Sequence, residues 1–197
     1  MKIVLLKAAL LKACGKRVTL GALFPLRKDQ SIWENKIVDF ADIDCKKLVQ
    51  QVNLKTWGGF LSSCKEEKSF AYVNGKSASF SDSIMKSSVE INNKNSDPVY
   101  ILIQDKLSET QKKTESEGKG SNVTFTMSTL KKEHGKCNVE EEHLFVFITD
   151  GRFDEKKDEK LSDNEIVIDK NNLKDWMGPL LALVRLARYT RKIQKKF

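Results

Sequence analysis

Long apolar runs are missing from this chain. The N-terminal stretch Met1 to Gly15 is cut by Lys7 and Lys12, so it leaves no apolar core of the length a secretory signal uses. No segment is apolar for long enough to span a bilayer. Paired metal-ligand spacings are missing too. The four cysteines, Cys14, Cys45, Cys64 and Cys137, lie far apart, with no C-x-x-C and no Cys/His pair at zinc spacing. That excludes a zinc finger and favours reduced thiols in an intracellular protein, with the nucleus as one destination. There is no G-x-S-x-G, so a Ser/His/Asp hydrolase is not supported. Glu117-Gly118-Lys119-Gly120-Ser121 lacks the G-x-x-x-x-G-K-[ST] spacing, which excludes nucleotide binding by a phosphate loop. No internal repeat and no helix-turn-helix is visible, so sequence-specific reading of DNA is not indicated.

What is present is enough residues for one domain. A chain of 197 residues buries roughly 70% of its unfolded surface. The hydrophobic share is 40% and the charged share 31%, with the charge gathered in a few segments. A net charge of +8 and a pI near 9.2 favour anionic partners: nucleic acid, DNA or RNA, acidic membranes or acidic proteins.

Residues 2–14 read as a basic amphipathic helix ended near Gly15. Residues 17–26 read as extended, with Pro25 limiting any helix. Ile37-Val38-Asp39-Phe40 suits a strand, and residues 45–61 suit a helix broken near Gly58-Gly59. A β-rich centre follows. Phe70 to Val73 is a strand before the turn signal Asn74-Gly75. Phe80 to Met85 and Val89 to Asn92 are strand-like, and Val99 to Asp105 is the cleanest strand in the chain. Residues 107–121 are polar and loop-like. Thr126 to Gly135 predicts a helix with Ser128 as a candidate cap. Leu144 to Ile148 and Ile166 to Ile168 are continuous apolar runs, the pattern of strands covered on both faces. Residues 151–163 between them read as a charged loop. A short helix starts at Asn171 or Asn172 and breaks at Gly178-Pro179. Residues 180–196 form a last, basic helix. The expected architecture is a single α/β domain, a mixed central β-sheet flanked by helices. Residues 1–60 form an N-terminal helical and extended region joined to it, and residues 61–197 the main α/β unit.

The chemistry gathers in two strands. Ser79-Phe80-Ser81-Asp82-Ser83-Ile84-Met85 presents an acid. Val99-Tyr100-Ile101-Leu102-Ile103-Gln104-Asp105-Lys106 presents an amide and an amine two residues apart. Residues i and i+2 of a strand share a face, so Gln104 and Lys106 point one way and Asp105 the other. If the strands pair, Asp82 sits beside them. A carboxylate, a neutral oxygen ligand and an ammonium then meet at one place, an arrangement suited to metal-assisted phosphodiester cleavage.

In their order and spacing these segments resemble the restriction-endonuclease-like superfamily, whose signature is PD-(D/E)xK. They resemble most its variants with glutamine in the third motif, as in the C-terminal regions of Crinkler-type effectors and retrotransposon hot spot proteins. The tyrosine strand is Phe70-Ala71-Tyr72-Val73. It is followed by Phe80-Ser81-Asp82-Ser83-Ile84 and by Ile101-Leu102-Ile103-Gln104-Asp105-Lys106. Leu144 to Asp150 and Trp176 to Pro179 are similar to the closing pattern, so the resemblance covers about residues 70–180. It implies a restriction-endonuclease-like fold and a nuclease that hydrolyses phosphodiester bonds, or a catalytically inactive relative that binds nucleic acid or protein. It implies that Asp82 and Gln104 hold magnesium, or manganese in its place, and that Lys106 assists the attacking water. It also admits a secreted effector acting inside host cells. The chain departs from the pattern in three places: serine precedes Asp82 where proline is usual, Gln104 stands for the acid, and Glu34 is the lone candidate for a helix-borne acid.

Further cations lie on the last helix: Arg185, Arg188, Arg191, Lys192, Lys195 and Lys196. They are candidates for phosphate contact opposite the apolar stripe Leu180, Leu183, Val184, Ala187. Glu140-Glu141-Glu142-His143, with no second histidine close in sequence, reads as a charged loop. His134 and Cys137 read as structural. Trp33, Trp57 and Trp176 read as core rather than as platforms for bases.

Overall fold

The computed structural model describes residues 1–40, 43, 51–52, 56–63, 68–74, 81–88, 90–91, 94–95, 97–106, 123–155 and 159–180. Helix α1 spans Lys2–Ala13. Its Leu, Ala and Lys content favours helix, and Val4, Leu5 and Ala8 form the buried stripe. The helix ends just before Gly15, whose φ of +68° is a conformation that favours glycine.

The expected extended segment 17–26 is interrupted by a short helix, α2, Leu20–Leu23. Thr19 is the reason: its side-chain oxygen accepts from the Ala22 N–H and starts the turn. Helix α3, Ser31–Glu34, packs closely on α2, so a Cβ on Gly21 would lie 2.9 Å from Glu34. The strand expected at residues 37–40 does not form. Ile37 makes a single antiparallel bridge to Thr19 and joins no larger sheet.

In the region expected as a broken helix, Gln51–Val52 is instead a strand, β1, and helix α4, Trp57–Ser63, runs through Gly58 and Gly59. Each glycine costs a helix about 1 kcal/mol relative to alanine. Burial of Trp57 and Phe60, stacked on each other with centroids 5.1 Å apart, offsets that cost.

The main sheet is built from β1, β2 (Ser69–Asn74), β3 (Ser83–Ser87), β6 (Val99–Lys106), β8 (His143–Thr149) and β10 (Glu165–Ile168). Its six strands run in the order β1-β2-β3-β6-β8-β10. Strands β2, β3 and β6 are antiparallel neighbours, whereas β6/β8, β8/β10 and β1/β2 are parallel. The chain is thus a mixed α/β protein. All seven residues of β8 are buried, as its continuous apolar run requires. Alternation sends Ile101, Ile103, Leu144, Val146 and Ile148 to a core shared with α1. Tyr100, Leu102, Phe145 and Phe147 go to a second core, shared with α4 and with helix α5, Met127–Gly135. The sheet is therefore sandwiched between helices. Ser128 does not cap α5; Thr126 holds the cap position, without a side-chain cap hydrogen bond.

The N-terminal region is fastened to the sheet by polar contacts as well. Arg27 donates to the Glu165 carbonyl at 2.9 Å, and the buried Gln30 amide donates to the carbonyls of Asp163 and Glu165, each at 2.9 Å.

The expected charged loop 151–163 starts with a strand. β9, Arg152–Asp154, pairs in parallel with β7, Thr124–Thr126. Gly151 makes this possible, because a Cβ there would collide with the Val123 carbonyl oxygen. Gly151→Ala is expected to destabilise the protein by about 1–3 kcal/mol through overpacking against backbone, measured by urea denaturation. A small hairpin pairs β4, Glu90–Ile91, with β5, Lys94–Asn95. Helix α6, Leu173–Met177, begins after Asn172 and stops at Gly178, whose φ is +51°. Among the described residues no helix is long and apolar enough to cross a membrane.

Candidate functional site

The pairing of β3 with β6 decides where the acid goes. Ser83 stands opposite Ile103, so Asp82, one residue earlier, falls opposite Gln104. Asp82 Oδ2 accepts from the Gln104 amide and, at 2.8 Å, from the Asp105 backbone N–H. Lys106 lies on the same side as Gln104, in the direction of α5, where its Nζ is 3.2 Å from Glu133 Oε2. The acid, amide and amine thus share one face of the sheet. Asp105 lies on the other face, where its charge acts on the buried N-terminal amine.

Ser81, just before Asp82, clamps the chain there. Its buried hydroxyl lies 2.8 Å from the Ile103 carbonyl oxygen and 3.1 Å from that of Ser83. The Asn74 side chain donates to the Ser81 carbonyl at 3.1 Å. Asp82 is therefore presented by a turn anchored on both neighbouring strands. At the far end of β6, the Thr149 hydroxyl donates to the Lys106 carbonyl at 3.0 Å and accepts from the Gly151 N–H at 3.0 Å.

Glu133 is the acid that the sequence pattern alone did not place here. Glu34, the expected candidate, is exposed on α3 and packs on Gly21 instead. A signal did exist: Met127, Leu130 and Glu133 follow one another at intervals of three, so a glutamate occupies the apolar stripe of α5. All three are buried. Glu133 bonds Lys136 at 2.8 Å through one oxygen and Lys106 through the other.

Electrostatics separates the two acids. Burial raises the pKa of Asp82 above its ordinary 3.8, and the Asp105 N–H and Lys106 offset only part of that. Burial also pushes Glu133 upward, but the bonds from Lys136 and Lys106 outweigh it and hold the group below its usual range. Nearby, burial pushes the Cys137 thiol up to about 12, so it is an unreactive neighbour rather than a nucleophile.

A raised native pKa means that the folded state favours neutral Asp82. Its contribution to stability is full below the unfolded value of 3.8 and is lost as pH rises through the native pKa. Asp82→Asn keeps the shape and removes the charge. It is expected to raise the urea midpoint at pH 7, with the gain vanishing on acidification below 3.8. An unchanged or lowered midpoint at pH 7 would contradict this.

Oxygen donors of this kind suit a hard cation such as magnesium or manganese. Asp82 offers Oδ1 beyond the two bonds at Oδ2, and Gln104 offers its carbonyl oxygen once the amide turns. Among the described residues no group of three or more His, Cys, Asp or Glu is placed to hold a metal.

The histidines correct another expectation. His143 is not in a charged loop; it is the buried first residue of β8, and His134 Nε2 lies 2.8 Å from its Nε2. The strand brings together side chains that are separated along the chain. Trp33, Trp57 and Trp176 are core residues, and Trp176 Nε1 donates to the Leu23 carbonyl at 2.7 Å. Arg185, Arg188, Arg191, Lys192, Lys195 and Lys196 lie outside the described residues, as does the segment 107–121.

Comparison with protein-family models, with curated proteins and with solved structures finds no match to this chain.

Proposed function

We propose that this protein is a nuclease-like domain that binds nucleic acid and hydrolyses phosphodiester bonds with the help of a divalent metal. The observation that carries the reading is the meeting of Asp82, Gln104 and Lys106 on one face, at the junction of the antiparallel and parallel halves of the sheet. Strand order supports the restriction-endonuclease-like assignment. The acid precedes β3, its antiparallel neighbour β6 carries the Q-x-K pair, and α5 then leads to the parallel strand β8.

In this reading Asp82 and Gln104 hold magnesium or manganese, with Glu133 close enough for its charge to be felt at Asp82. The ion, when bound, supplies charge neutralisation at the phosphate and a more acidic water. The Asp105 backbone N–H keeps Asp82 in place. Lys106 donates to a phosphate oxygen as negative charge grows there, after exchanging Glu133 for the substrate. Sequence preference is not expected, because the contacts are to the backbone of the nucleic acid.

One observation favours a second reading, a catalytically inactive module that binds nucleic acid. Lys106 is engaged by Glu133, and the amide at residue 104 brings no charge. Titrating magnesium or manganese against labelled single- and double-stranded DNA and RNA separates the two. Metal-dependent cutting supports the nuclease. Binding that weakens steeply with salt, without cutting, supports the module. Neither cutting nor binding would overturn both.

A further inference from the structure

The two histidines of the chain sit nine residues apart in sequence, on α5 and at the start of β8, yet their Nε2 atoms face each other at 2.8 Å. The other ring nitrogens are both occupied. His134 Nδ1 is 2.7 Å from Glu165 Oε1, and His143 Nδ1 is 2.8 Å from the Glu141 carbonyl oxygen. Each ring is thereby oriented with Nε2 towards its partner. The His134 ring is further held flat on Phe145, with centroids 4.4 Å apart and planes 10° from parallel.

This is the outer shell that metal-binding imidazoles use. A carboxylate or a carbonyl takes one ring N–H, fixes the tautomer and leaves the other nitrogen free to coordinate. The pair opens into a groove of about 430 Å³, also lined by Lys131, Asn138, Ser162 and Glu165. His134 is half-buried and His143 buried, and both line this groove.

We propose that His134 and His143 form a binding site for a borderline transition-metal cation such as zinc, nickel or copper(II), with both Nε2 atoms as ligands. Imidazole nitrogen suits these ions and not magnesium, so the site is distinct in chemistry from Asp82 and does not depend on the nuclease reading. Zinc–nitrogen bonds of about 2.0–2.1 Å at a tetrahedral angle place two nitrogens about 3.3 Å apart. The two Nε2 atoms, now sharing one proton at 2.8 Å, release that proton to solvent and part by about 0.5 Å when the ion takes its place. Among the described residues no third His, Cys, Asp or Glu completes the set, so the remaining positions go to water or to a ligand in the groove.

The test adds copper(II) and zinc to the whole protein in excess magnesium. Copper(II) at one equivalent is expected to show nitrogen couplings from two imidazoles in its electron paramagnetic resonance spectrum. Calorimetric zinc affinity is expected to fall at least about tenfold in His134→Gln and in His143→Gln, and about 10–100-fold in Glu165→Gln, which keeps both ligands. A copper spectrum of the unsubstituted protein without two-imidazole coupling would overturn the proposal whatever the variants do. So would zinc affinity unchanged in folded His134→Gln.

Discussion

Asp82→Ala is expected to reduce metal-dependent cleavage of a labelled oligonucleotide to background, a loss of at least about 10²–10³-fold. Asp82 is the sole charged member of the proposed cation-holding pair, and Gln104 can contribute only a dipole. Removing the carboxylate therefore removes both the ion's main anchor and the acceptor that keeps the Gln104 amide and the Asp105 N–H in place. Two partly buried donors lose their partner, at about 1–3 kcal/mol each if water does not replace it. Loss of a raised-pKa carboxylate works in the opposite direction, so the fold should survive. Asp82→Asn is the companion variant: it retains an acceptor for both donors and should still lose activity. Full cleavage by Asp82→Asn, at the same magnesium concentration as the parent, would remove Asp82 from the chemistry. Binding to the oligonucleotide should change little in either variant, since phosphate contacts from cations dominate affinity.

Phe147→Ala is expected to cost about 3–5 kcal/mol, at the upper end of what truncating one core side chain does to a domain. Phe147 is fully buried at the centre of β8 and packs edge-on to Phe125, with centroids 5.7 Å apart. It lies on the face where α5 covers the sheet, alongside Leu102, Met127 and Leu130. Truncation leaves a cavity bounded by two strands and a helix, which the sheet cannot close without breaking its register. With total stabilities of about 5–15 kcal/mol usual for a domain, such a loss is a large fraction of the whole. Equilibrium urea denaturation would measure it. A cost below about 1 kcal/mol would mean that the second core is far more pliable than its packing indicates. Because α5 carries Glu133 and His134, this variant should also weaken any metal binding at the histidine pair.

Much of the sheet is legible in the sequence because its strands announce themselves. Val99 to Lys106 and His143 to Thr149 are largely apolar runs, and both are buried almost throughout. The alternation within Ile103-Gln104-Asp105-Lys106 correctly separates Asp105 from its neighbours, since strand geometry leaves no choice. The N-terminal part is harder. Residues 17–26 are apolar enough for a strand, but a threonine cap and a close α2–α3 contact make four of them helical. Gly58-Gly59 has the pattern of a break, yet the burial of Trp57 and Phe60 carries the helix through. In the glycine pair, contacts distant in sequence outweigh a local preference of about 1 kcal/mol per residue.

The candidate site divides in the same way. Local pattern determined, from the chain alone, that an acid and a Q-x-K pair lie on short apolar segments, that Gln104 and Lys106 face together, and that the protein is basic and mixed α/β. It did so because side-chain direction in a strand follows from backbone geometry. Tertiary structure alone decided that Glu133 reaches Lys106 while Glu34 stays exposed on α3, that Gln104 bonds Asp82, and that His134 meets His143. Those contacts depend on which strand pairs with which and on how α5 lies across them. Such choices are settled by burying two apolar faces at once, and no stretch of neighbouring residues encodes them.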